Sequence, residues 1–211
     1  MSPSPDDLRA AWLVSVLAVV WTLASGSAAV AIGVTGGSAV LVAFGAIGFV
    51  DALGSAALVY HFRHALRHDA LADHLERAAH RVVMAGLLSV GLGAIAISVV
   101  RLVGHHTGEA PAAGIVLAAV SLGVLLVLST WKIAVSARLP SAALRADGLL
   151  SRVGAAQAVV TLAGTGLARW LGWTWVDAVA AIVVGAGAVV VGVVTAPDGP
   201  GVGPEGIEPS A

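Results

Sequence analysis

Residues 38–63 read SAVLVAFGAIGFVDALGSAALVYHFR. Between Ser38 and Val59 this run carries a single charged side chain, Asp51, about halfway along. About 20 apolar residues suffice to cross the hydrocarbon core of a bilayer as an α-helix, so the run is predicted to be a membrane span. A carboxylate at that depth is expensive, turns toward the protein interior, and is functional by default. Ser55 follows Asp51 at i+4 and shares its helix face. The alternative reading of Asp51 is structural: a hydrogen bond to hydroxyls or amides of neighbouring helices.

The rest of the chain has the same character. Of its 211 residues, 58% are hydrophobic and only 11% charged, with a mean hydropathy of +0.96. Soluble domains carry about 25% charge. The composition therefore predicts an all-α integral membrane protein. Six runs are long enough to span: 11–33, 38–63, 80–103, 112–136, 141–171 and 173–195. A tail over 1–10 precedes them. Residues 196–211 are Pro/Gly-rich and acidic, which predicts disorder. The start, MSPSPDDLRA, lacks the basic region of a signal peptide, so the first run is read as a retained transmembrane helix. A net charge of −1 argues against a nucleic-acid partner. The absence of cysteine removes disulfides and thiolate metal sites.

Basic residues set the orientation. With a cytosolic N-terminus, Arg9, Arg63, Arg67, Arg77, Arg81, Lys132, Arg138 and Arg145 fall inside, and Arg101 and Arg169 outside. Both termini are thus expected in the cytosol, in a multi-pass protein of the cell inner or plasma membrane.

The fifth run repeats the pattern of the second. Asp147 and Ser151 stand at i and i+4 in ALRADGLLSR, residues 143–152. Arg152 follows, with two readings. It is an ion-pair partner for Asp51 or Asp147, or it snorkels to the cytosolic headgroups. Gln157 and Thr161 continue either a polar track or an interhelical hydrogen bond. His61, His64 and His68 fall at i, i+3 and i+7, a spacing that suits a secondary transition-metal site or simply a His-rich loop. His105 and His106 read as loop residues. Asp177, after GWTW, is expected to cap or orient the sixth helix. Ser89 with Gly93, and Ala181 with Gly185, have the small-xxx-small spacing of close helix contacts.

Three stretches carry a family resemblance: GFVDALGSAALVYHFR (48–63), ALRADGLLSRVGA (143–155) and LGWTWVDAVAAIVVGAGAVVVG (171–192). With six spans and both ends inside, they resemble the transmembrane domain of the cation diffusion facilitator family. The closest likeness is to short bacterial members without the cytosolic C-terminal domain. The resemblance implies a homodimer that exports a divalent cation, zinc or similar, in antiport with protons. The family's four-ligand site falls here on Asp51, Ser55, Leu150 and Gly154, of which Asp51 alone keeps a ligand acid. The transport residues implied are Asp51, Ser55, Asp147 and Ser151, with the metal as substrate. The alternative is a degenerate, non-transporting member held by an Asp–Arg pair, acting as a membrane interaction or regulatory protein. No nucleophile–base pair and no His-Glu-x-x-His motif occurs, so an enzyme is not expected.

Overall fold

The structure is a computed structural model and describes residues 5–65, 73–104, 111–139 and 141–194. These form six α-helices: α1 (Pro5–Gly36), α2 (Ala39–Ala65), α3 (Asp73–Val103), α4 (Ala112–Arg138), α5 (Ala142–Leu171) and α6 (Thr174–Val194). Residues 196–211, expected to be a disordered tail, lie outside the described residues. The first helix begins earlier than expected, at Pro5, with Asp6 and Asp7 in its first turn. Acids there are favoured by the helix dipole.

Local chemistry ends the helices. Gly37 adopts φ 69°, and Ser38 N–H donates to Gly33 O at 2.8 Å. This closure past a left-handed glycine lets α1 stop and α2 start with one intervening turn. The same device, Gly172 at φ 68°, separates α5 from α6. At the start of α5 the Ser141 hydroxyl accepts from Leu144 N at 3.2 Å, satisfying an otherwise orphaned donor.

Among the described residues α1, α2, α3, α4 and α6 are long and apolar enough to cross a membrane. The remaining helix, α5, has 30 residues, ample length at about 1.5 Å per residue. Arg145, Asp147, Arg152, Gln157 and Arg169 lower its hydropathy. Outward positions are apolar: Leu17, Val20, Leu92, Val100, Val116, Val127 and Val190 are all exposed. Inward positions include Ser15, Thr22, Ser55, Ser121, Lys132, Asp147, Ser151 and Thr161. A soluble domain of this size would not present so much contiguous apolar surface to water. The distribution is that of a membrane protein with several transmembrane helices.

Helices consecutive in the chain alternate in direction. Gly36 at the end of α1 packs on Pro111 at the start of α4. Arg101 near the end of α3 donates to Gly37 O. Asp177 at the start of α6 meets Ser38 and Ala39. One end of the bundle thus gathers the last turns of α1 and α3 and the first turns of α2, α4 and α6. The start of α1 and the end of α6 share the opposite end. Helix α2 is central, packed against α1, α3, α5 and α6.

Close backbone approach depends on specific glycines. A Cβ on Gly45 would sit 2.6 Å from Gly26 O, and one on Gly91 2.6 Å from Gly185 O. Of the small-residue pairs read from sequence, Gly185 is used, but opposite Gly91; Gly93 faces open space. Gly45→Val is therefore expected to lower stability by about 1–2 kcal/mol through overpacking. Gly93→Val should stay within about 0.5 kcal/mol of the parent. Thermal unfolding in detergent measures both, and equal behaviour of the two would refute the assignment of Gly45 to a tight contact.

Candidate functional site

The polar residues read from α2 and α5 come together, and α4 brings a partner that the sequence reading placed elsewhere. Lys132 is fully buried, with Nζ 2.6 Å from Asp147 Oδ2. It also donates to Ser151 Oγ at 3.0 Å and to Ser55 Oγ at 3.3 Å. An ammonium has three donors, and here each finds an acceptor. Ser55 Oγ in turn donates to Asp147, at 3.1 Å from Oδ1 and 3.3 Å from Oδ2. Ser151 Oγ donates to the Asp147 carbonyl at 3.1 Å. The network is closed, which is what makes a buried ion pair tolerable. Two features bring α4 near enough. Ser129 Oγ donates to Gly148 O at 2.8 Å. A Cβ on Gly148 would lie 2.9 Å from Ile133 Cγ1 and 3.2 Å from Lys132 Cβ.

Arg152 does not take the role offered to it. Its side chain is exposed on the outside of the bundle, and the cation on Asp147 is Lys132. Helical geometry explains this. Ser151 lies about 40° round the helix from Asp147, whereas Arg152 lies about 140° away. Lys132, counted by sequence among the cytosolic basic residues, belongs to the interior instead. Its signal was available: Ser121, Leu125, Leu128, Ser129, Lys132 and Ser136 form the buried stripe of α4, spaced by threes and fours.

Asp51 sits one turn from this network, about 18 Å from the start of α2 at helical rise. It is half-buried and lines a cavity of about 50 Å³ to which all six helices contribute. Its other polar lining is Thr22, Ser25 and Gln157, and Leu150 and Gly154 share the wall. Of the four positions that the family resemblance singles out, Asp51, Leu150 and Gly154 line this cavity, whereas Ser55 is bonded to Asp147 and Lys132. Among the described residues no group donates a hydrogen bond to Asp51, but Asp147 and Lys132 both act on it electrostatically. The lining hydroxyls spend their protons inside their own helix: Thr22 Oγ1 on Ala18 O at 2.7 Å, Ser25 Oγ on Trp21 O at 2.8 Å. Their oxygens remain acceptors. Gln157 Nε2 reaches Val184 O at 3.5 Å, which leaves its carbonyl oxygen as the spare acceptor. Thr161 hydroxyl donates to Gln157 O at 2.9 Å, so it continues the helix and not a polar track.

The remaining candidates fall apart from this centre. His61 is half-buried on α2, edge-on to Phe62. The side chain of His64 and all of His68, His105 and His106 lie outside the described residues. No group of three His, Asp or Glu side chains comes together among the described residues. Asp177 is a cap, but of α2 and not of its own helix. Its carboxylate accepts from Ser38 Oγ at 2.5 Å, Ala39 N at 2.6 Å and Val40 N at 3.4 Å.

Comparison with protein-family models and with curated proteins gives no match to this chain.

Proposed function

We propose that the chain is a six-span membrane transporter that moves a cation in exchange for protons, with Asp51 as the carboxylate on which cation and proton alternate. The observation that carries this reading is the setting of Asp51: an acid without a hydrogen-bond donor among the described residues, facing a mostly apolar mid-bundle cavity whose other polar lining is Thr22, Ser25 and Gln157. A carboxylate serving structure alone would be held by donors, as Asp147 and Asp177 are. The rival reading, a non-transporting protein held by an ion pair of Arg152 with Asp51 or Asp147, loses its arginine, because Arg152 faces outward. The resemblance to cation diffusion facilitators agrees with the direction of the argument and brings with it a homodimer, and the placement of the basic residues brings cytosolic termini in the cell inner or plasma membrane. The cavity's donors are oxygens throughout, which suit hard cations better than zinc.

Asp51→Asn tests the reading. In proteoliposomes loaded with a pH dye, the wild-type chain is expected to couple cation addition to proton movement, and Asp51→Asn to abolish it while keeping its fold. Unchanged coupling in Asp51→Asn would dispose of the proposal. The orientation has its own test. A cysteine replacing exposed Thr35 beside the α1–α2 turn should react with an impermeant maleimide from outside the cell; labelling only after the cytosolic face is opened would reverse the topology.

A further inference from the structure

Resting on that reading, we infer that the cation taken by the Asp51 cavity is monovalent, an alkali-metal ion exchanged one for one with a proton, because Lys132 fixes the charge of the site. The count uses the ionisable groups that face Asp51 from the packed helices. Helix α2 supplies Asp51 itself, and Ser55, one turn on from it, bonds to Asp147 of α5 and Lys132 of α4, which pair with each other at 2.6 Å. Arg152 points away, and the cavity residues from α1, α3 and α6 are uncharged. Two carboxylates and one ammonium sum to −1. One proton or one monovalent cation brings the centre to zero. A dication leaves it at +1, in surroundings where water is scarce and an uncompensated charge is poorly tolerated.

Lys132 is suited to be a fixed charge and not a mobile one. It is fully buried, and Asp147, Ser55 and Ser151 take up its three donors. In effect it occupies permanently one of the two charges that a dication would bring. The donors left for the mobile ion are the Asp51 carboxylate, the Thr22 and Ser25 hydroxyl oxygens and the Gln157 amide oxygen. Those oxygens, set among otherwise apolar lining such as Leu87, Leu125 and Val153, match a hard cation. A volume of about 50 Å³ holds such an ion with roughly two waters, at 10–15 Å³ for each. In the exchange the protonated Asp51 carboxyl releases its proton as the ion binds, leaving carboxylate and ion paired. The centre is neutral before and after, so the cycle moves no net charge.

The test changes the charge of the centre without touching the cavity wall. Purified full-length protein in detergent is titrated with sodium, potassium or zinc chloride, with choline chloride as the ionic-strength control, and thermal unfolding is followed. Asp51→Asn supplies the baseline for ions held elsewhere, the histidines included. Wild type should be stabilised by sodium or potassium above the choline control, and not by zinc beyond the Asp51→Asn baseline. Asp147→Asn makes the centre neutral without an ion and should weaken the alkali response about tenfold or more, as an unbalanced unit charge at close range does. Lys132→Met with Asp147→Asn restores −1 and should restore the response. Lys132→Met alone makes −2 and should turn the preference toward zinc. Where that single variant does not fold, the Asp147→Asn loss and its rescue decide. A zinc response in wild type exceeding the alkali response overturns the inference, as does a double variant that stays unresponsive. Dye-loaded proteoliposomes separate this from the transporter reading. Alkali binding with the full rescue pattern but no proton movement defeats transport and keeps the monovalent site. Proton movement driven by zinc and not by alkali ions keeps transport and defeats the monovalent site.

Discussion

Lys132→Ala is expected to cost about 3–5 kcal/mol of stability, the loss that follows when a buried ion pair is broken from one side. The reason is the state of what remains. Asp147 is buried between α2, α4 and α5, and without the ammonium only Ser55 donates to it from a side chain. Ser55 and Ser151 lose a partner at the same time. Lys132→Met with Asp147→Asn removes both charges and keeps the volume, so most of the loss should return. Thermal unfolding of the two single variants and the double gives the coupling directly, because additive losses mean two residues that do not interact. Arg152→Ala is the control. Its side chain lies outside the bundle, and its effect should stay within about 0.5 kcal/mol. A large loss at Arg152 combined with a small one at Lys132 would reverse the assignment of the ion pair.

Asp177→Ala should cost about 2–3 kcal/mol, at the upper end for a lost helix cap. The first backbone N–H groups of a helix have no partner within it and carry the positive end of its dipole. At the start of α2 those of Ala39 and Val40 point to the Asp177 carboxylate. Ser38 hydroxyl joins them at 2.5 Å, and Arg101 supports the carboxylate electrostatically from α3. The contact therefore ties α6 to α2 and, through Arg101 and Gly37, α3 to the α1–α2 turn. Asp177→Asn keeps one acceptor and should lose less than the alanine variant. Ser38→Ala should lose less again, since the backbone donors stay capped. If Asp177→Ala unfolds with the parent, the clamp contributes nothing to stability.

Composition and run length by themselves determined the membrane character, the helical class and the approximate extents of the helices, because a chain in lipid must satisfy its backbone within each span. Gly37, Gly172 and Ser141 then shape the helix ends through local backbone and capping chemistry. Spacing at i and i+4 also determined that Asp51 shares a face with Ser55, and Asp147 with Ser151. What spacing cannot carry is which face of one helix meets which face of another. Asp147 is paired to Lys132, 15 positions earlier on the neighbouring helix, and not to Arg152 beside it in the chain, because the rotation of α5 turns Arg152 outward. Asp177 caps α2, 138 positions earlier in the chain at Ala39, because α2 and α6 pack in parallel with their starts at the same end of the bundle. The cavity before Asp51 draws its walls from six helices, so no single segment encodes it. Each of these is a meeting of distant residues, decided by the packing of preformed helices and not by the local preferences that formed them.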